Sequence, residues 1–357
     1  WIEKTNSGAN SGVDGAEVVW ADAADLVHLS STPISHDASG NAFLDFEVKQ
    51  SGIQSGNAVV AVTKGSGASK TVLWSWHLWF APKDALDKIK VTNHQYVDYY
   101  FTKETLGWKP TQWSGTTYES PRTVKVKVEQ TVANNGTKKE TVINITQKPG
   151  SVKKGAATLY QFGRKDAFPG VDVLAANSHF TANAGDNMSI MNGIQHPDLY
   201  YTWGSNWENN YSYNNLWSAD NTARGFNDNS VVKTVYDPSP VGFKMPASNA
   251  FTGFTADGQN DGTMNVDGTD DAETFSNNFG HNFWTSSSKT ATIYFPASGY
   301  RNYDDGSLNG VGGNGWYWSA VPNSASNICY LYFSWSDVYP LNLSVRTYGM
   351  ATRPVSE

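Results

Sequence analysis

The chain is short of several things, and each shortage removes a class of function. Cysteine occurs once in 357 residues, at Cys329. Disulfides within the chain and thiolate metal clusters are therefore excluded, and a single thiol reads first as a small apolar side chain. Charged residues make up only 17%, with a net charge of −7 and no basic run. The cationic footprint that nucleic-acid phosphates require is missing. No run of 18 apolar residues exists, so no helix is expected to span a membrane. Leu-, Ala- and Glu-rich helical stretches are rare, and only Lys83–Lys90 and Asp270–Phe279 read as helices. The first residue is Trp1 and no signal peptide is visible, the pattern of a mature or truncated chain.

What is present is glycine (32 residues), aromatics (13%) and abundant Ser, Thr and Asn. This composition describes a β-rich, loop-rich protein with a weakly charged surface. The length suggests two or three domains. Strand-like runs cover Glu17–Trp20, Ala42–Val48, Ala58–Thr63 and Thr71–Phe80, separated by Asp37-Ala38-Ser39-Gly40 and Lys64-Gly65-Ser66-Gly67. In the last run Trp74, Trp76, Leu78 and Phe80 alternate with Ser75 and His77, as in a half-buried strand. These runs predict a β-sandwich domain over 1–81. Further on, Thr123–Gln130 and Thr141–Gln147 face each other across Asn134-Asn135-Gly136, a strong hairpin signal. An isolated hairpin is marginal, so its Val124, Val126 and Val128 are expected to lean on a neighbour. Thr290–Pro296 predicts one more strand.

The C-terminal forty residues hold the densest aromatic run, with strands predicted at Ile328–Phe333 and Val345–Thr352. Between them Ser334–Ser344 mixes Trp335, Asp337, Tyr339, Leu341 and Leu343 with Ser and Asn and follows neither a period of 2 nor 3.6. Rigid rings beside adaptable polar side chains are the composition of a recognition surface. Trp316, Trp318, Tyr332 and Phe333 are expected to finish a hairpin core, and Trp335, Tyr339 and Leu343 to be displayed.

Five ordered motifs carry a resemblance. Tyr160-Gln-Phe-Gly-Arg-Lys-Asp166, Tyr236-Asp-Pro-Ser-Pro-Val-Gly-Phe-Lys-Met-Pro246, Gly299-Tyr-Arg-Asn302, Gly315-Trp-Tyr-Trp-Ser319 and Arg346-Thr-Tyr-Gly349 with Arg353-Pro-Val355 resemble the Fibrobacter-type major paralogous domain. That family is common in surface and fimbrillin-like proteins of gut Bacteroidetes. The resemblance implies an α+β, β-rich chain: the N-terminal β-sandwich at 1–81, then a C-type-lectin-like domain at 82–357 with a hairpin inserted at about 116–152. It also implies export to the cell surface, through an anchor outside this chain. The C-terminal layout is similar to variable proteins of diversity-generating retroelements, which display substituted residues near the C-terminus. Carried over, the display positions are Ile328, Cys329, Tyr330, Ser334, Trp335, Asp337, Tyr339, Leu343, Ser344 and Val345, with Trp316–Trp318 and Arg346–Val355 as scaffold. The implied partner is a protein or glycan on another cell or host surface.

Catalytic signals are sparse. The lectin sugar motifs Glu-Pro-Asn, Gln-Pro-Asp and Trp-Asn-Asp are absent, and His196-Pro197-Asp198 puts a histidine where calcium needs oxygen. Asp257-Gly-Gln-Asn-Asp-Gly262 has Gly268 where an EF-hand needs Glu, so it reads as a solvated loop. A structural calcium on Asp257, Asp261, Asp267 or Asp270 is the alternative, and no other cofactor is implied. Gly310-Val-Gly-Gly-Asn-Gly315 lacks a following Lys-Ser or Lys-Thr and reads as a tight turn. No His pair is spaced for zinc, and no nucleophile elbow or carboxylate pair stands out. The expected function is ligand binding without catalysis. A structural pilus subunit is the main alternative, and a carbohydrate-active enzyme is a more distant one.

Overall fold

The structure is a computed structural model. It describes residues 12–114, 122–133, 135–147, 151–207, 216–219, 224–268, 275–276, 278–324 and 326–357. In chain order the strands begin with β1 (Gly15–Ala21), β2 (His28–His36), β3 (Ala42–Glu47), β4 (Gly56–Lys64) and β5 (Thr71–Phe80). There follow β6 (Lys88–Thr92), β7 (Asp98–Thr102), β8 (Lys109–Ser114), β9 (Arg122–Glu129), β10 (Glu140–Gln147), β11 (Ser151–Ala156) and β12 (Tyr160–Gln161). The remainder are β13 (Phe243–Lys244), β14 (Gly280–Trp284), β15 (Thr292–Pro296), β16 (Ser298–Arg301), β17 (Leu308–Val311), β18 (Gly315–Pro322), β19 (Asn327–Phe333), β20 (Val338–Val345), β21 (Gly349–Met350) and β22 (Val355–Ser356). A short helix, α1, spans Ile190–Gln195, with the Ser189 side chain accepting from Asn192 N at its start.

The chain is β-rich and of the α+β class. Two compact units are formed, one from Trp1–Lys109 with Ala156–Glu357 and one from Pro110–Gly155. The expected insertion at about 116–152 lies inside the second unit. No break falls at residue 81, because the first strands share a core with the C-terminal half: Trp20, Val59 and Ala61 pack with Tyr160, Phe162, Trp318 and Tyr330.

In the first unit, β1, β4 and β5 form an antiparallel sheet, and β2 pairs with β3. Strand β5 has the expected bounds, but both of its faces are covered. Trp74 and Trp76 pack with Ile34 and Leu44 of the β2–β3 hairpin. Ser75 and His77 turn into the body, where Ser75 Oγ donates to Asp166 Oδ1 at 2.9 Å. The largest sheet runs β12-β21-β16-β18-β19-β20, with β17 on β16. One of its faces meets the core just described. On the other, Tyr317, Leu331, Phe333 and Val338 meet a phenylalanine cluster that includes Phe251, Phe254, Phe283 and Phe295. Arg353 is fully buried beside it and is held by carbonyls: its Nε donates to Thr102 O at 2.9 Å and Nη1 to Tyr294 O at 2.6 Å.

In the second unit, β9 and β10 pair in register, Val126 opposite Ile143. Asn135 and Gly136 take the positive φ values (51° and 78°) expected of an Asn-Gly turn. Asn134 lies outside the described residues. Val124, Val126 and Val128 stay exposed instead of packing, at 61%, 39% and 48%. The helix expected at Lys83–Lys90 is a turn leading into β6, which starts at Lys88. Of Asp270–Phe279, Phe275, Ser276 and Asn278 are helical and Phe279 is in a turn, and the rest lies outside the described residues.

Candidate recognition face

The site is built on β18, β19 and β20. Directly paired residues share a face of a sheet. Trp318 pairs with Tyr330, Trp316 with Tyr332, and Tyr332 with Tyr339. This row starts inside the core, with Trp318 fully buried and Tyr330 5% exposed. It then runs out toward solvent, and Trp316, Tyr332 and Tyr339 are half-buried. The backbone is held close beneath it by Gly315, where an added Cβ would come within 2.0 Å of the Phe333 ring.

Other segments extend the row. Tyr300 of β16 lies 4.5 Å from Trp316, centroid to centroid. Tyr348, in the turn before β21, lies 5.4 Å from Trp316 and 4.9 Å from Tyr303. Trp316 also stacks on Tyr330 at 5.2 Å and meets Tyr332 edge-on at 5.4 Å. Tyr332 reaches Tyr339 at 5.5 Å. The result is a continuous strip, Tyr303–Tyr348–Trp316–Tyr332–Tyr339, with Tyr300 alongside. Such rings offer area with few rotatable bonds and little entropy to lose on binding.

Amides supply directional contacts at its margin. Asn342 Nδ2 donates to the Tyr330 hydroxyl at 3.0 Å, and Asn314 Nδ2 to the Tyr332 hydroxyl at 3.3 Å. Carboxylates flank both ends. A hydrogen bond to Asp304 raises the Tyr303 hydroxyl above its ordinary pKa, and a hydrogen bond to Asp261 does the same for Tyr339. Burial pushes the Tyr348 hydroxyl up to about 12. All of these hydroxyls are therefore neutral donors near pH 7. The indole N–H of Trp316 is buried without a hydrogen-bond partner among the described residues, a cost of about 1–3 kcal/mol.

Trp335 is carried on the turn that joins β19 to β20. Ser334 N donates to Asp337 O at 2.9 Å, and Ser334 Oγ donates to Asp337 Oδ2 at 2.9 Å. The turn is thus tied by both backbone and side chains, and Trp335 stands 48% exposed at its tip.

The ten expected display positions separate. Trp335 and Leu343 are exposed; Asp337, Tyr339, Ser344 and Val345 are half-buried. Ile328, Cys329, Tyr330 and Ser334 are buried, which corrects their expected display. Ile328 and Cys329 belong to the core cluster that also holds Trp20, Val59 and Ala61, and burial pushes the Cys329 thiol up to about 12. Leu343 pairs with Cys329, so it lies on the opposite face from Tyr330.

The irregular stretch expected at Ser334–Ser344 is also corrected, because Val338–Val345 is a strand. Tyr330 pairs with Asn342 and Tyr332 with Tyr339, which leaves one residue between them on β19 and two on β20. This bulge at Pro340-Leu341 shifts the alternation by one and hides the period of 2. The strand expected at Val345–Thr352 is instead the end of β20, a turn and the short β21. Tyr300, Tyr303, Trp316, Tyr332 and Tyr348 were not among the expected display residues. Their sequence signal was the recurrence of Tyr and Trp beside glycine, at Gly299-Tyr300 and Gly315-Trp316.

Polar groups elsewhere are committed to structure. His77 Nε2 and Nδ1 lie 2.9 Å from Asn57 Oδ1 and from the Tyr160 hydroxyl, and burial lowers its pKa to about 3. Asp166 receives Arg164 at 2.9 Å and Lys165 at 2.6 Å, all three buried. Asp257 accepts from Gln259 N within its own loop at 3.0 Å. Asp270 lies outside the described residues, and among those that are described no three metal-ligating side chains converge. Gly310–Gly315 is the expected turn, closed by Asn314 N donating to Gly310 O at 2.8 Å. No helix among the described residues is long and apolar enough to cross a membrane.

A family described as "Domain of unknown function (DUF8237)" matches residues 264–355, about a quarter of the chain. The matched span contains every ring of the aromatic strip. No curated protein and no solved structure matches the chain.

Proposed function

We propose that this chain is a cell-surface ligand-binding or adhesion protein that grips its partner with the aromatic strip and Trp335. The observation that carries this reading is the row of rings that leaves the core and continues into solvent on one rigid sheet. A monomer gains nothing from exposing Trp335 or from leaving five neighbouring rings half-covered, whereas a binding site does. The motifs that resemble those of lectin-like surface domains point the same way. They supply buried anchors: Trp318 Nε1 donates to Tyr160 O at 2.9 Å, and Gln161 Nε2 donates to Thr347 O at 2.8 Å. Binding rather than turnover fits a site built from neutral tyrosines and amides.

A glycan and surface-protein array probed with the intact chain tests the reading. Trp335→Ala with Tyr339→Ala is expected to remove the signals without unfolding the chain; signals that survive in the double variant would refute it. If the face is diversified by a retroelement, the variable codons are those of Trp335, Asp337, Tyr339, Leu343, Ser344 and Val345. Uniform codons across 328–345 in several isolates would remove that part.

A second reading, a pilus subunit that exchanges strands, is favoured by β5. It pairs with β4 on one side and with no strand on the other among the described residues. A cleft of about 510 Å³ is lined by Trp74, Ser75, Trp76 and His77 of the same strand. Concentration-dependent polymers in light scattering would support this reading over the first.

A further inference from the structure

We propose that the partner of the aromatic strip is a protein surface bearing lysine and arginine side chains; the inference rests on the recognition reading above and specifies its ligand. The strip is apolar along its length and negative at both ends. Asp304 stands at the Tyr303–Tyr348 end, where it is hydrogen-bonded to Tyr303 and acts on the Tyr348 hydroxyl. Asp337 is tied into the β19–β20 turn by Ser334 Oγ at 2.9 Å, and Asn260, next to Asp261, accepts from Leu341 N of β20 at 3.0 Å, so both carboxylates stand at the Tyr332–Tyr339 end. Among the described residues, the carboxylates acting on Tyr303, Tyr332, Tyr339 and Tyr348 are those of Asp304, Asp337 and Asp261. Arg346, which follows β20, is buried with its guanidinium 5.1 Å over the Trp207 ring.

These charges decide between ligand classes. An anionic glycan would bring its carboxylate or sulfate against the flanking aspartates and be repelled there. A neutral glycan would stack on the rings and gain only ordinary hydrogen bonds from the carboxylates. A guanidinium or ammonium gains twice, over the ring faces and in charge-assisted bonds to the flanking aspartates. An apolar centre with charged ends is also the anatomy of a protein interface. The net charge of −7 would steer a basic partner from a distance.

The test uses the intact chain and three probes: a ten-residue Arg/Lys-rich peptide, a neutral malto-oligosaccharide and a sulfated heparin oligosaccharide. Tryptophan fluorescence and ring NMR signals report on the face. The peptide is expected to shift the Trp316 and Trp335 signals, with affinity falling about tenfold as salt rises from about 50 to about 300 mM. Asp304→Asn with Asp337→Asn should weaken peptide binding about fivefold or more, while Asp45→Asn with Glu47→Gln on exposed β3 removes equal charge and should change it less than about twofold. Equal weakening by both pairs would mean diffuse attraction and overturn the proposal. Salt-independent binding of the malto-oligosaccharide, or binding of heparin, at the same signals would overturn the basic-partner inference and leave the recognition face standing. If no probe moves those signals and the Trp335/Tyr339 double variant keeps its array binding, the recognition face itself is refuted.

Discussion

Lowering the pH from 7 to 5 should destabilise this chain through His77, by an amount the geometry allows to be worked out. Asn57 Nδ2 donates to Asp22 Oδ2 at 2.8 Å and to Gly107 O at 2.9 Å, so its Oδ1 is the atom that faces His77. His77 Nε2 must then carry the proton, and Nδ1 accepts from the Tyr160 hydroxyl. That hydroxyl already accepts from Thr158 Oγ1 at 3.2 Å. A second proton on the ring would set N–H against O–H inside a part-buried network, and desolvation lowers the folded pKa to about 3 from the ordinary 6.5. The unfolded chain therefore binds a proton that the folded chain refuses. Stability rises with pH between about 3 and 6.5 and is lost as pH falls through that window. Between pH 7 and pH 5 the loss is about 2 kcal/mol, and it is insensitive to the folded value as long as that stays below about 4. Urea unfolding at both pH values measures it in the wild type and in His77→Gln. Other groups titrate equally in both, so the wild type should lose about 2 kcal/mol more than the variant. Equal losses, or an imidazole NMR titration centred near 6.5, would refute the reasoning.

The remaining expectations concern the face and its foundations. Trp335→Ala with Tyr339→Ala should cost no more than about 2 kcal/mol in urea unfolding, whereas Trp318→Ala should cost about 4 kcal/mol, since it opens a cavity and orphans the Tyr160 carbonyl. Comparable losses would place all three rings in the core. Gly315→Ala should destabilise by about 1–3 kcal/mol because Phe333 must move aside, and it should shift the Trp316 and Tyr332 ring signals. Cys329 should resist a thiol reagent in the native chain and react at the rate of unfolding; rapid native reaction would mean it is displayed after all.

Much of the fold was legible because local pattern reports local chemistry. Trp74–Leu78 alternates apolar and polar residues inside an apolar run bounded by turn signals, so β5 could be read to the residue. The Asn-Gly pair at 135–136 and the glycines at 310–315 marked turns because few other residues adopt their backbone. Strand β20 was not legible, since one extra residue at Pro340-Leu341 shifts the alternation and makes a strand look like a loop. The recognition face was legible only in outline. The aromatic richness of the tail pointed to it, but Tyr300, Tyr303 and Tyr348 join Trp316 through sheet and turn contacts that no local spacing encodes.

The sequence by itself determined that the chain would be β-rich, glycine-turned, weakly charged and heavily aromatic near its C-terminus. Composition and period set which backbone forms and which side chains are available. Only the tertiary structure decided which rings meet solvent. Ile328 and Cys329 are covered because β1 and β4, more than 250 residues earlier, help bury the core in which they sit. The same row of β18 and β19 is only half-covered at Trp316 and Tyr332. Burial depends on what packs across a face, and that partner is chosen by the whole chain rather than by neighbours in sequence.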